Sequence, residues 1–211
     1  MGELSKDRSA RVRARGNSLQ STKQFIRERG GPEALVKVLG QLPPHARRVC
    51  GRTIDPAAWV DLDVWLAFAE AADRVLGQGD GALHRVIGRY TAERDLYAVY
   101  SRFPGGAAGL AGGDALTPNI AMLAGFVVDF WRQYFSSGTA TLEVNEPGRV
   151  VACIRGFAEP AAPVCARVLG FMEEASARAG ALDVAATHTQ CRTAGAEDCR
   201  FELRWTPRAS A

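Results

Sequence analysis

The hydrophobic period of the chain changes at Gly138, and this change limits the folds that the sequence can adopt. Before it, apolar residues recur every three to four positions, as in "DVWLAFAEAADRVLG" at residues 63–77, which is typical of amphipathic helices. After it, apolar and polar residues alternate in "TATLEVNEPGRVVACIRGF" and again in "CRFELRW", which is typical of half-buried strands. We therefore predict an α+β fold in which a helical part, residues 30–137, packs on an antiparallel sheet.

Residues 138–206 are predicted to form a ββαββ unit, and residues 30–206 one compact domain. The segment Asn145–Gly148 indicates a hairpin turn between the first two strands. Helical spacing returns at residues 159–180, and two further alternating stretches follow. One face of the last strand carries its least polar side chains, namely Cys199, Phe201, Leu203 and Trp205.

Two predictions concern the N-terminal half. Residues 1–29 hold eight Lys and Arg but only three Asp and Glu, a local charge of +5, so we predict a basic, flexible arm. Asp55 and Pro56 suit the N-cap and first position of a helix that continues to Gly77.

Composition excludes several classes of protein. The chain has 211 residues, 47% of them hydrophobic, and a net charge of +3, which is too small to indicate nucleic acid as a partner. Neither a signal peptide nor an apolar run long enough to span a membrane is visible. We therefore expect a cytoplasmic protein, in which disulfides are rare.

The segment "HTQCRTAGAEDC" brings His188, Cys191 and Cys199 to the two ends of a predicted hairpin turn. Structural zinc takes four Cys and His ligands, and Cys165, near the start of the preceding helix, is the candidate for the fourth. A helix N-terminus also favours the thiolate form of a cysteine. From the residues alone, zinc, ordinary buried thiols and a disulfide or redox pair all remain open.

Residues 180–205, "GALDVAATHTQCRTAGAEDCRFELRW", resemble the C-terminal signature of the 4-vinyl-reductase-like domain. In both, a helix precedes a Cys, a glycine-centred turn, a second Cys and a strand with aromatic residues. Over about residues 20–206 the chain is also similar to a protein family expanded in myxobacteria. The resemblance implies a fold related to H-NOX haem domains and to TRAPP vesicle-tethering subunits.

The same resemblance implies a set of zinc ligands. Aromatic-sensing members of the domain bind zinc through three cysteines and a glutamate. Position by position, the cysteines fall on Cys165, Cys191 and Cys199, and the glutamate position falls on His188. Because imidazole is a good zinc ligand, we expect a structural zinc ion at these four residues.

Haem needs separate consideration because H-NOX domains are among the implied relatives. Their signature is a Tyr, Ser and Arg at alternate positions of a strand that follows an axial histidine. The comparable strand here, "GRVVACIRGF", lacks that pattern, and residues 118–135 contain no histidine. His45 and His84 are expected at the surface or with satisfied hydrogen bonds, so the sequence disfavours haem.

No arrangement typical of an enzyme is apparent, and we predict that the protein is not one. Glu173 and Glu174 are expected on a solvated helix face. A zinc site with four protein ligands has no open position for catalysis.

The predicted function is a zinc-stabilised regulatory module of the sensor type, which binds a small hydrophobic or aromatic molecule and signals through a protein partner. Aromatic residues are the candidates to line its pocket, although the same residues would also suit a core: Phe126, Phe130, Trp131, Tyr134 and Phe171. The alternative is a non-enzymatic homodimeric scaffold, and a haem-binding gas sensor is the less favoured third reading. A roomy pocket would favour the sensor, whereas a filled core with an exposed apolar patch would favour the scaffold.

Overall fold

The computed structural model describes residues 11–100, 131–178 and 181–206, including all side chains except those of residues 95–100. Residues 131–134 are helical and lead into the sheet. The labelled elements, in chain order, are β1 (Arg13–Arg15), α1 (Gly16–Gly40), α2 (Pro44–Cys50), β2 (Trp59–Asp61), α3 (Leu62–Leu76), α4 (Ala82–Tyr100), β3 (Thr139–Glu146), β4 (Arg149–Arg155), α5 (Ala162–Arg178), β5 (Leu182–Gln190) and β6 (Cys199–Thr206).

The main sheet has the strand order β3-β4-β6-β5, and each neighbouring pair is antiparallel. The mixed helix and antiparallel-sheet class predicted from the change of period is confirmed. Helix α5 leads from β4 to β5 and packs on β5, on β6 and on α4. One face of β6 is buried along its whole length, as the alternation predicts, by Cys199, Phe201, Leu203 and Trp205.

Helices α4 and α5 pack with almost no separation between their backbones. A Cβ atom at Gly88 would collide with the carbonyl oxygen of Arg167, and one at Gly170 would collide with that of Arg85. Glycine at both positions therefore allows a close approach of the two backbones that any larger residue would prevent. Helix α5 lies between α4 on one side and the sheet on the other.

The predicted arm over residues 1–29 differs from the structure from residue 11 onward. Residues 13–15 form β1, and α1 begins at Gly16. Basic side chains dominate the composition here, but Leu19, Phe25 and Ile26 are all buried at helical spacing. These apolar residues pack one face of the segment into the core, which is why it is ordered. Residues 1–10 of the predicted arm lie outside the described residues.

The helix predicted to begin at Pro56 begins instead at Leu62. Residues 59–61 form β2, which pairs antiparallel with β1, so the N-terminal half is not purely helical. The carboxylate of Asp55 accepts a hydrogen bond from the backbone N–H of Ala57, at 2.9 Å, and stabilises a turn before β2. Strands of three residues carry too little periodicity to be visible in a sequence.

No helix in the described ranges is long and apolar enough to cross a membrane.

Candidate metal centre

Four side chains converge where the N-terminus of α5 meets the β5–β6 hairpin. Cys165 lies in the first turn of α5, His188 in β5, Cys191 directly after β5, and Cys199 at the start of β6. Their sulfur and nitrogen ligand atoms all lie within 4.8 Å of one another. The four residues predicted as zinc ligands are therefore brought together in one cluster, which we call the Cys3His cluster.

The spacing within the cluster suits a metal ion better than a disulfide. The sulfur atoms of Cys165 and Cys199 are 3.9 Å apart. Two thiolates on a tetrahedral zinc ion, each about 2.3 Å from the metal, are about 3.8 Å apart, whereas a disulfide needs about 2.05 Å. All five cysteines of the chain are free thiols.

Local backbone geometry explains why the hairpin presents its ligands on one side. The register of β5 against β6 shifts between His188 and Gln190, and such irregularities redirect side chains near sites. A 3₁₀ turn at residues 192–194 follows, and Gly195 ends it in the left-handed region, with φ of 91°. The turn reverses the chain, so Cys191 and Cys199 meet on the same side of the hairpin.

The surroundings of His188 suit a metal ligand. Its ring stacks on that of Phe201, with centroids 4.4 Å apart and planes 3° from parallel, which fixes the orientation of the imidazole. Its Nε2 atom is buried and has no hydrogen-bond partner among the described residues. A metal ion would give such a buried lone pair the partner that it lacks.

The pKa values of the two buried thiols are shifted in opposite directions. A hydrogen bond from the Cys165 thiol is the main cause that lowers the pKa of Cys199, and His188 and the backbone N–H of Arg192 add to it. The same hydrogen bond and burial raise the pKa of Cys165. These opposite shifts favour Cys199 as the thiolate ligand, and metal binding would displace the proton of Cys165.

The predicted pocket-lining aromatic residues are only partly described. Phe126 and Phe130 lie outside the described residues, Tyr134 is buried and Phe171 is half-buried. Trp131 is buried, and its indole donates to the carbonyl oxygen of Ser137 at 2.8 Å. It also packs against Phe135 and Phe157. These are the contacts of a core residue, and a ligand-binding role for the set stays a prediction.

Two expectations about polar residues are corrected by the structure. Glu173 is buried instead of solvated, and it forms ion pairs with Arg85 and Arg89 of α4. His84 is also buried, yet its Nδ1 has no hydrogen-bond partner among the described residues. Burial, with a smaller contribution from the charge of Arg167, lowers the pKa of His84 to about 4. This histidine is therefore neutral at pH 7.

Sequence reasoning missed Arg167, which lies two residues after Cys165 on α5. Its guanidinium is buried against the ring of Trp65, 4.4 Å from the centroid. Its Nη1 donates to the hydroxyl of Thr22 at 2.7 Å. From the sequence, an arginine between apolar helix positions is expected at the surface. The burial of Arg167 becomes visible only in the packing of α1, α3 and α5.

No protein-family model matches the chain, and no curated protein does. Many solved structures match in fold. An H-NOX protein from S. oneidensis, in the Fe(II) state of a mutant, is 10% identical, with a TM-score of 0.67 over 91% of this chain and 96% of that one.

A mutant H-NOX from T. Tengcongensis is 12% identical, with a TM-score of 0.64 over 92% of this chain and 100% of that one. An unliganded Fe(II) H-NOX mutant from K. algicida is 12% identical, with a TM-score of 0.63 over 92% and 97%. The chain therefore has an H-NOX-like fold, as the resemblance implied. The narrower resemblances, to the 4-vinyl-reductase-like domain and to the myxobacterial family, stay predictions.

The chain has three histidines that could serve an iron or zinc ion. His188 belongs to the Cys3His cluster. His84 is buried among the helices, and His45 is exposed, with its Nε2 atom 3.4 Å from a carboxylate oxygen of Asp63. A haem iron ligated by imidazole would need one of the latter two residues.

Proposed function

We propose that the protein is a zinc-stabilised regulatory module of the sensor type that binds a small molecule and signals through a protein partner. The Cys3His cluster is the observation that supports it most directly. Three thiol groups and one imidazole are a donor set that zinc prefers, and their ligand atoms lie within 4.8 Å of one another.

In this proposal the zinc ion has a structural role. Cys165 comes from α5, whereas the other three ligands come from the β5–β6 hairpin, so the metal would join the helix to the hairpin. Because such a site does not form in an unfolded chain, the free energy of metal binding adds to folding stability. Four protein ligands also leave no coordination position for a reacting water, which supports a non-enzymatic role.

The sensor part of the proposal draws on the similarity in fold. One of the matching structures is an S. oneidensis H-NOX in its Fe(II)NO ligation state, and another concerns the mechanism of H-NOX activation. Those proteins bind a small ligand and change state. We transfer that general role, and not their particular ligand, to the present chain.

Metal analysis of protein purified without chelator tests the zinc site. We expect about one zinc ion per chain, and we expect Cys191→Ser to lose most of it along with thermal stability. Cys153→Ser is the matched control because Cys153 is also a buried thiol. It lies on β4 opposite Arg200, so its side chain is on the other face of the sheet from Cys199. Metal-free wild-type protein, or equal zinc content in Cys191→Ser, would contradict the assignment.

A haem-binding gas sensor is a second candidate, and the similarity in fold to Fe(II) H-NOX structures supports it. Haem reconstitution of the purified protein tests it directly. A saturable Soret absorbance band that shifts on addition of nitric oxide, and that is lost in His84→Ala or His45→Ala, would favour this candidate. Zinc at the Cys3His cluster and haem elsewhere are compatible, so the two metal analyses are independent.

The homodimeric scaffold remains the alternative. Sedimentation analysis of the zinc-loaded protein separates it from the sensor, because the scaffold requires a stable dimer and the sensor requires a ligand-dependent change.

A further inference from the structure

Helices α1, α3, α4 and α5 enclose a buried cation, and none of the described carboxylates pairs with it. The guanidinium of Arg167 is more than nine-tenths buried. Its hydrogen-bond acceptor is a neutral hydroxyl, that of Thr22, and its closest aromatic contact is the face of Trp65. Neither partner carries a charge, and no described carboxylate forms an ion pair with it. Burying an unpaired charge is costly for a folded protein.

The neighbouring polar groups cannot neutralise this charge. The hydroxyl of Thr22 is already used, because it donates to the backbone carbonyl of Ser18 at 2.8 Å. Ser18 itself accepts a hydrogen bond from the indole of Trp65 at 2.6 Å. The contacts therefore fix the position of the guanidinium without compensating it.

Three buried polar atoms of α3, α4 and α5 have no hydrogen-bond partner among the described residues. They are Nε of Arg167, Nδ1 of His84 and Oδ1 of Asp73. His84 lies within electrostatic range of both charged residues. Native proteins rarely leave buried polar atoms unpaired, and such atoms point to a bound molecule or ion.

We propose that Arg167 binds the carboxylate group of a small organic ligand. The inference rests on the proposed function and specifies its ligand class as a carboxylate-bearing small molecule. A guanidinium donates two parallel hydrogen bonds to a carboxylate, and Nε of Arg167 is a buried donor without a partner among the described residues. The binding of this anion would neutralise the buried charge that the free protein retains.

The test compares carboxylates with their neutral amides on the zinc-loaded protein at pH 7.5. The probes are acetate, benzoate and octanoate, each beside acetamide, benzamide or octanamide, with the melting temperature as the readout. We expect at least one carboxylate to raise the melting temperature saturably, with an affinity at least tenfold higher than that of its amide. Equal effects within every pair would overturn the inference while leaving small-molecule binding, and thus the proposed function, intact.

Arg167→Met supplies the second readout. We expect it to lose the preference for carboxylate and, without ligand, to melt at the wild-type temperature or higher, because an unpaired buried charge has been removed. Arg178→Met is the matched control, since Arg178 lies on the same helix and pairs with the exposed side chain of Glu93. It should keep the preference.

A different result would assign Arg167 a purely structural role. If a carboxylate outside the described side chains, such as that of Asp95, Asp114 or Asp129, neutralised the guanidinium, Arg167→Met would strand that carboxylate and lower the melting temperature. A lower melting temperature together with no carboxylate effect in the wild type would overturn the inference. If Arg167→Met fails to fold, the comparison of carboxylates with amides on the wild-type protein still decides the matter.

Discussion

The two sides of the first turns of α5 are chemical opposites. Cys165 faces a cluster of electron-pair donors that attracts a cation, whereas Arg167 carries a cation to which an anion would bind. Both groups are buried, and both are held in place by neighbours from other elements. The difference teaches that one helix can present buried groups of opposite chemistry on its two sides when the residues that carry them are two positions apart.

Removing a sulfur ligand of the Cys3His cluster should have the largest effect. Cys199→Ser replaces the ligand whose pKa is lowered by its neighbours, so we expect loss of zinc and a fall of at least ~4 kcal/mol in the free energy of unfolding. A typical domain has only about 5–15 kcal/mol. Zinc content and urea denaturation measure the two effects.

Cys50→Ser is the control for this experiment, because Cys50 is a fully buried thiol in α2, away from the cluster. It should keep its zinc. If both variants lost stability equally and both kept zinc, the residues of the Cys3His cluster would be ordinary buried core residues.

Forcing α4 and α5 apart should lower the stability of the helix packing more than it affects the Cys3His cluster. We call the side of α5 with Cys165 its metal side and the side with Arg167 its helix side. Gly170→Ala places a methyl group against the backbone carbonyl of Arg85, and we expect a loss of about 3 kcal/mol from overpacking. Zinc content should remain close to one per chain. Gly40→Ala, where an added Cβ meets nothing within 4 Å, is the control and should change stability by less than about 1 kcal/mol. Equal losses in both variants would show that the helices adjust to the added methyl group.

The smallest predicted effect concerns pH on the helix side. The pKa of His84 is lowered from its usual 6.5 to about 4 by burial, so between these values the unfolded chain binds a proton that the folded chain does not. Stability from the neutral imidazole is complete above about pH 6.5 and is lost as the pH falls toward 4. From pH 7 to pH 5 this loss is about 2 kcal/mol.

The comparison that isolates this effect is the wild type against His84→Gln, by denaturant unfolding at both pH values. The glutamine variant should lose about 2 kcal/mol less, since zinc release at low pH affects both proteins alike. His45→Gln, at an exposed position, controls for the removal of an imidazole. Identical pH dependence in the wild type and His84→Gln would mean that His84 becomes protonated within the fold.

The metal side of α5 was predictable because its signal is local. His188, Cys191 and Cys199 lie within twelve positions, and a reversal of the chain is enough to bring them together. Cys165 is 26 residues from Cys191 in the sequence, and its place followed from the expected packing of a helix across a hairpin and from the family resemblance.

The helix side has no local signal. Thr22, Trp65, His84 and Arg167 come from four separate helices, and no spacing links them. Their proximity depends on how α1, α3, α4 and α5 pack, which periodicity does not specify. The sequence analysis also failed to predict that residues 11–29 are ordered. Basic side chains dominate the composition of this segment, whereas its structure depends on three buried apolar residues.

The positions of Cys165 and Arg167 also restrict how α5 can move. Residues two apart on an α-helix lie about 200° apart around its axis, so the helix is held on nearly opposite sides. Rotation about its own axis would pull a sulfur ligand away from the hairpin and withdraw the guanidinium from Trp65 at the same time. In the proposed sensor, a signal that passes between the helices and the sheet would therefore tilt α5 or slide it along its length. Such motion preserves which side faces which site, and it would let ligand binding at Arg167 change the angle at which the helix meets the β5–β6 hairpin.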